Sequence, residues 1–208
     1  MKILGINCMN HDAAMAVVEI KDGIGKILWA AHAERYSKIK NDHYLNQAIV
    51  NEAMTYGPFN KVVYYEKPWL KKTRQFYAGQ YGTALSYTEL PSWHLEHFGI
   101  KIDEYVKHHD SHAAAGYFTS PFTDATILTV DANGEWDTVS ISTAEKVWIE
   151  RKETIKYPHS IGILYSAFTH RCGLKPAEEE YILMGMAAYG KPIYKDDIYN
   201  DFVHQHPF

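Results

Sequence analysis

The sequence predicts an α/β protein in which one arrangement of strands and helices occurs twice. Short runs rich in β-branched residues alternate with segments whose apolar residues recur at helical spacing. The order of strand, polar turn, strand, hairpin, strand and helix occupies residues 1–56 and returns at residues 124–172. The two segments share little sequence, so what repeats is the pattern and not the residues.

The first copy opens with three predicted strands, at residues 2–7, 13–20 and 26–33. A polar turn separates the first two strands, and the DGIG segment at 22–25 favours a hairpin before the third. Apolar residues at helical spacing predict a helix over 44–56, which Gly57 and Pro58 end. There follow a strand at 61–65, an irregular, partly helical aromatic stretch at 67–99, a strand at 104–107 and a helix of small residues at 111–118.

The second copy starts with predicted strands at 124–131, 138–143 and 146–155, with a turn at 132–134. A helix over 160–172 follows, with Gly173 in the position where helices commonly end. This order is typical of the actin-like ATPase fold of the ribonuclease H-like group, in which two βββαβαβα halves face each other across a nucleotide. We expect the first half at residues 1–122 and the start of a second, incomplete half at 123–208. Its open sheet edges indicate either that another chain supplies the rest or that the chain is a fragment.

The bulk composition is that of an ordinary soluble protein, with 46% hydrophobic and 22% charged residues. The net charge of −4 gives no electrostatic reason to expect nucleic acid or an anionic membrane as a partner. Two distant cysteines are typical of a reducing compartment. The sequence starts without a signal peptide, and no apolar run approaches the ~20 residues needed to span a bilayer. We therefore expect a cytoplasmic protein.

A cluster of histidines at residues 108–112, HHDSH, is the sharpest local signal. His108 and His112 are four residues apart, so on a helix both imidazoles can face one point, and imidazole suits Zn²⁺ or Fe²⁺. Asp131 ends an apolar strand before a glycine turn, where a carboxylate is delivered to a cleft. The alternatives are solvated histidines at a helix capped by Asp110 or Ser111, and an aspartate that only starts its turn.

Three further segments carry candidate binding residues. His11 could act as a general base on a hydroxyl or hold a phosphate, although a simple turn is the interpretation that the sequence alone favours. The charged segment 34–40 is either a solvated loop or an anion-binding arm that ends in Lys40. The segment flanked by Gly185 and Gly190 either packs a helix or lets a ligand approach the backbone closely.

With these segments in place, the chain resembles the N-terminal part of the nodulation-type O-carbamoyltransferases, a family that includes antibiotic-carbamoylating enzymes. Six blocks match in the family's order: GIN…HDAA (5–14), ER…KND (34–42), HHDSHAA (108–114), TVDANGEW (129–136), SIGILYSAFT (160–169) and EY…MGMAAYG (180–190). They extend over nearly the whole chain, so chance does not explain the resemblance.

The resemblance implies an enzyme that forms carbamoyl-adenylate from ATP and carbamoyl phosphate and passes the carbamoyl group to a hydroxyl of a small-molecule acceptor. The family joins an actin-like domain, similar to the tRNA threonylcarbamoyl-adenosine transferase, to a C-terminal adenylate-forming domain. That second domain and a further carboxylate ligand would lie beyond residue 208. The chemistry would then be completed by a C-terminal partner polypeptide.

The resemblance also implies roles for individual residues. His108, His112 and Asp131 would hold a divalent ion, Fe²⁺ by preference, which polarises the carbamoyl carbonyl as a Lewis acid. His11 would activate the acceptor hydroxyl. The remaining residues expected at the cofactor and nucleotide site are Lys40, Gly134, Gly185 and Gly190.

Two other functions fit the same fold. Threonylcarbamoyl transfer to tRNA would need a basic face for the phosphates, and the net charge of −4 argues against it. A non-catalytic remnant would bind nucleotide or metal without turnover. A following reading frame that carries the missing carboxylate and an adenylate-forming domain would favour the carbamoyltransferase over the remnant.

Overall fold

Two β-sheets organise the part of the chain that the computed structural model describes, residues 1–10 and 12–203. The first sheet contains β1 (Lys2–Asn7), β2 (Ala14–Lys21), β3 (Ile24–His32), β4 (Lys61–Tyr64) and β5 (Glu104–Tyr105). Their order in space is β3-β2-β1-β4-β5. The first three strands pair antiparallel as a meander, whereas β4 pairs parallel to β1 and β5 parallel to β4.

Helices connect the strands of the first sheet. After β3 come α1 (Glu34–Ser37) and α2 (Gln47–Met54), and between β4 and β5 lie α3 (Pro68–Tyr77), α4 (Tyr81–Leu85), a 3₁₀ turn (Tyr87–Glu89) and α5 (Pro91–Glu96). Helix α6 (His108–Phe118) follows β5. With helices that share one connection taken together, the order is βββαβαβα. This confirms the actin-like fold predicted for the first half.

The core of the first sheet lies on the face that α2 covers. Alternate residues of β1 and β2 point to this face because side chains of a strand alternate between its two sides. The Asn46 side chain caps α2 by accepting hydrogen bonds from the backbone N–H groups of Ala48 and Ile49. The buried apolar residues from these three elements are Leu4, Ile6, Met15, Val17, Ile49, Val50 and Ala53.

The second sheet repeats the opening of the first. It contains β6 (Asp124–Gly134), β7 (Asp137–Glu145) and β8 (Trp148–Lys156), which pair antiparallel in that order. Three helices follow among the described residues: α7 (Ile161–Arg171), α8 (Glu180–Ala187) and α9 (Lys195–Phe202). None of the helices within residues 1–10 and 12–203 is long and apolar enough to cross a membrane.

Several predicted boundaries differ from the structure. Helix α6 begins at His108, three residues before the predicted start, because Lys107 is extended and serves as the N-cap residue. The capping alternative at Asp110 or Ser111 is therefore wrong. Strand β6 continues to Gly134 through a register shift, and the turn falls on Glu135, whose φ is 63°. Helix α9 was not predicted.

Helix α6 joins the two sheets. By sequence it closes the first half, yet it packs chiefly against β6 and β7 of the second sheet. His109 is completely buried, and its Nδ1 lies 3.0 Å from Ser140 Oγ on β7. Arg151 on β8 contacts the carboxylates of both Asp110 on α6 and Asp137 on β7. These contacts fix α6 on the second sheet.

Replacing Arg151 by alanine should lower the free energy of unfolding by about 1–3 kcal/mol, because it leaves two carboxylates without their shared partner. Denaturation in urea measures this loss. The matched control is Lys152→Ala, since Lys152 forms an exposed pair with Glu150, and such pairs contribute about 0–1 kcal/mol. Equal losses in the two variants would contradict the role of Arg151.

Candidate metal centre

The structure brings the three predicted metal ligands, His108, His112 and Asp131, to one point. Their ligand atoms all lie within 4.8 Å of one another. His108 Nε2 is 2.9 Å from Asp131 Oδ2 and 3.0 Å from His112 Nε2, and His112 Nε2 is 3.8 Å from Asp131 Oδ2. Helix α6 presents two ligands because residues four apart share a helix face, and β6 delivers the third.

This arrangement fits a divalent ion. Nitrogen and oxygen ligands about 2.0–2.2 Å from one ion lie about 3–3.5 Å from each other, close to the separations found here. Two imidazoles and a carboxylate suit Fe²⁺, Zn²⁺ and related ions. The side chain of His112 is 55% exposed and that of His108 only 8%, so the site opens to solvent on the His112 side.

The charges of the site depend on each other. Burial alone lowers the pKa of His108, but the carboxylates of Asp131 and Glu66 raise it to about 9. Burial alone raises the pKa of Asp131, yet contact with His108 and a hydrogen bond from Ala132 N–H lower it to about 2. At neutral pH the site without metal therefore holds an imidazolium beside a carboxylate, and an ion bound at Nε2 would displace a proton.

Two buried carboxylates surround His108, and the sequence analysis did not identify either. Glu66 Oε2 lies 3.5 Å from His108 Nδ1. Glu135 Oε1 accepts hydrogen bonds from the backbone N–H groups of Lys67 and His108, at 2.6 and 3.3 Å. Burial raises the pKa of Glu135. Glu66 follows the end of an apolar strand, which is the signal that identified Asp131, so the same rule could have found it.

Gly134 packs directly on the histidines of α6. A Cβ at this position would lie 2.5 Å from His108 Cδ2 and 2.7 Å from His109 Cδ2, closer than real Cβ contacts allow. The absence of a side chain therefore lets the end of β6 approach α6. The structure thus gives Gly134 a contact with the ring of His108, a predicted metal ligand, where the sequence analysis expected a contact with the cofactor.

The N-terminus of α7 holds the segment that carries Asp131. Asp131 Oδ1 accepts a 2.7 Å hydrogen bond from Ala132 N–H. Ser160 Oγ donates to Ala132 O at 2.7 Å and accepts from Ile163 N–H at 3.1 Å. One hydroxyl therefore caps α7 and bonds to the backbone of β6. A Cβ on Gly162 would lie 2.6 Å from Ala132 Cα. Helix α7 can approach the backbone of Asp131 and Ala132 this closely only because residue 162 is glycine.

Comparison with known proteins identifies the family. The family model described as Carbamoyltransferase N-terminus matches residues 84–206, more than half of the chain. The chain belongs to this family. An uncharacterised protein from Synechocystis sp. is 33% identical over 97% of this chain and 37% of its own length. Nodulation protein NolNO from Sinorhizobium fredii is 24% identical over 94% of this chain and 30% of its own length.

The chain thus spans about a third of the length of these two relatives. Among solved structures, the Aquifex aeolicus PPX-GPPA enzyme aligns with 87% of this chain and 59% of its own chain, at 14% identity and a TM-score of 0.41. The order of the strands in the sheet and of the elements along the chain identifies the actin-like fold.

The other residues that the sequence analysis predicted for the site lie on separate elements. Lys40 Nζ is 2.8 Å from Tyr181 OH on α8 and 4.7 Å from the centre of its ring, so it connects the segment after α1 to α8. Gly185 lies within α8 and Gly190 just after it, and both are exposed. His11 lies outside the described residues, so its catalytic role stays a prediction.

Proposed function

We propose that this chain is the N-terminal portion of an O-carbamoyltransferase that transfers a carbamoyl group, through carbamoyl-adenylate made from carbamoyl phosphate and ATP, to a hydroxyl of a small-molecule acceptor. The observation that carries the proposal is the convergence of His108, His112 and Asp131 in a chain of the carbamoyltransferase family. Two imidazoles and a carboxylate at these distances are a ligand set for a catalytic divalent ion.

The three ligands would hold the ion, for which we propose Fe²⁺. The ion would supply Lewis-acid chemistry, stabilising negative charge on phosphate oxygens and polarising the carbamoyl carbonyl. The protein contributes position: the buried His108 and the backbone-bonded Asp131 are fixed, while the exposed His112 lies on the side from which a substrate can enter.

We assign the nucleotide and acceptor roles to residues around this centre. The ammonium group of Lys40, in the loop after α1, lies against Tyr181 of α8, where it could neutralise phosphate charge. Gly185 and Gly190 leave the backbone of α8 and the loop that follows it open to close approach by ATP. His11 is proposed as the group that takes the proton of the acceptor hydroxyl.

Because the chain spans about a third of its relatives' length, we propose that the remaining polypeptide supplies the adenylate-forming step and further ligands. Carbamoyl transfer by the complete enzyme would then combine both parts. This assignment places metal binding in the present chain and nucleotide activation largely outside it, so the two properties can be measured separately.

Pyrophosphate release tests the proposed reaction. The chain together with its C-terminal polypeptide should release pyrophosphate from ATP and carbamoyl phosphate, and chelation of the metal should stop carbamoyl transfer to the acceptor. Addition of Fe²⁺ after removal of the chelator should restore transfer. A complete protein that releases no pyrophosphate, or that transfers carbamoyl groups equally well without metal, would overturn the proposal.

A further inference from the structure

We propose that Glu66 is a positioning residue that orients the imidazole of His108 so that Nε2, and not Nδ1, faces the metal. The inference rests on the proposed metal centre and adds to it a residue outside the ligand set. Glu66 lies between β4 and α3, on the opposite side of the ring from Asp131. It would act through His108 without touching the ion.

The ring of His108 lies between two carboxylates. Nδ1 lies 3.5 Å from Glu66 Oε2, and Nε2 lies 2.9 Å from Asp131 Oδ2. A histidine that binds a metal through Nε2 keeps its proton on Nδ1. A carboxylate beside that N–H fixes the tautomer and the ring orientation and makes the ligand nitrogen more basic. Nδ1 of His108 has no hydrogen-bond partner among the described residues, and Glu66 is the carboxylate that lies beside it.

Glu66 is itself held in place by an ion pair. Its residue is 4% exposed, and its other oxygen, Oε1, lies 2.8 Å from Lys71 Nζ on α3. A buried carboxylate with one oxygen on a lysine therefore offers the second oxygen to the imidazole.

The neighbouring buried carboxylate has a different place. Glu135 accepts from backbone N–H groups, at the start of α3 and at the start of α6, and so supports the main chain. Glu66 instead approaches the ring of His108. The ring of Tyr65 also packs edge-on against His108, with ring centres 5.2 Å apart, which limits rotation of the imidazole. Orientation by charge is therefore assigned to Glu66.

Titration with Co²⁺ tests the inference on the whole chain, by calorimetry and by the visible absorption of the bound ion. Glu66→Ala should weaken Co²⁺ binding about 10–100-fold, the usual effect of losing an outer carboxylate. Glu66→Gln should weaken it less, about tenfold or under, because the amide oxygen can still accept from Nδ1–H. Both variants should shift the visible bands of Co²⁺.

Ile49→Val is the control for general destabilisation, since Ile49 is buried in the core of the first sheet on α2, which carries neither a ligand nor Glu66. Its Co²⁺ affinity should stay within about threefold of that of the unmodified chain.

If Glu66→Ala does not fold, the nearly isosteric Glu66→Gln decides the question through the Co²⁺ bands. Unchanged bands and affinity in Glu66→Gln, while the unmodified chain binds Co²⁺, overturn the inference and leave the metal centre intact. An unmodified chain that binds no Co²⁺ overturns the proposed metal centre and this inference with it.

Discussion

Replacement of His112 by alanine is expected to reduce divalent metal binding at least 100-fold while leaving the fold intact. His112 supplies one of the three ligand atoms, and an ion that keeps only His108 and Asp131 loses about a third of the protein's coordination. The side chain is 55% exposed, so its removal leaves little cavity and should change stability by about 0.5 kcal/mol or less. Calorimetric titration with Fe²⁺ or Co²⁺ and thermal melting measure the two effects.

His170→Ala is the matched control, because His170 lies on α7 and is exposed like His112. Its metal affinity should equal that of the unmodified chain. His108→Ala should also abolish binding, but it removes a ring buried between two carboxylates and should therefore lower stability as well. Equal metal content in the His112→Ala variant and the unmodified chain would refute the ligand assignment.

Replacement of Gly134 by alanine is expected to disrupt the same centre by displacing the imidazole of His108. The added Cβ would lie 2.5 Å from His108 Cδ2 and 2.7 Å from His109 Cδ2, so either β6 or α6 must move. His109 is fully buried against Ser140 and cannot give way outward. We expect a loss of about 1–3 kcal/mol in stability, as in other overpacked sites, together with weaker metal binding.

Gly116→Ala provides the comparison for this variant. Gly116 lies in α6 itself, and a Cβ there meets nothing within 4 Å. Alanine should therefore stabilise the helix by about 0.5–1 kcal/mol and leave the metal affinity unchanged. Urea denaturation and Co²⁺ titration of both variants make the test. If Gly134→Ala is as stable as Gly116→Ala and binds metal as tightly, the close packing of β6 on α6 is not needed for stability or for metal binding.

The sequence predicted what local patterns determine. Strand β1 was predicted at its observed bounds, and Ser160 and Gly173 mark the ends of α7 as helix-capping rules require. Spacing made His108, His112 and Asp131 candidates, because the histidines are one helical turn apart and Asp131 follows an apolar run, and the family resemblance grouped them as one predicted ligand set. These signals depend on residues that are near each other along the chain.

The contacts around the triad could not be predicted in this way, although Glu66 itself follows the end of a strand. Glu66 is 42 residues before His108 in sequence, and the two meet because the chain just after β4 contacts α6, where Ser111 Oγ donates to Tyr65 O. Likewise, Glu135 reaches the start of α6 because β6 continues through a register shift to Gly134. Such contacts follow from tertiary packing, which propensity and spacing do not encode.

The position of α6 has a consequence for how the protein can be divided. The helix precedes residue 122 in sequence, but His108 and His112 on it meet Asp131, which follows that point. A cut between the predicted halves would therefore leave an incomplete ligand set on each piece. An ion that binds all three ligands would connect α6 to β6. Because it binds only the folded chain, it would stabilise the folded state by the free energy of its binding.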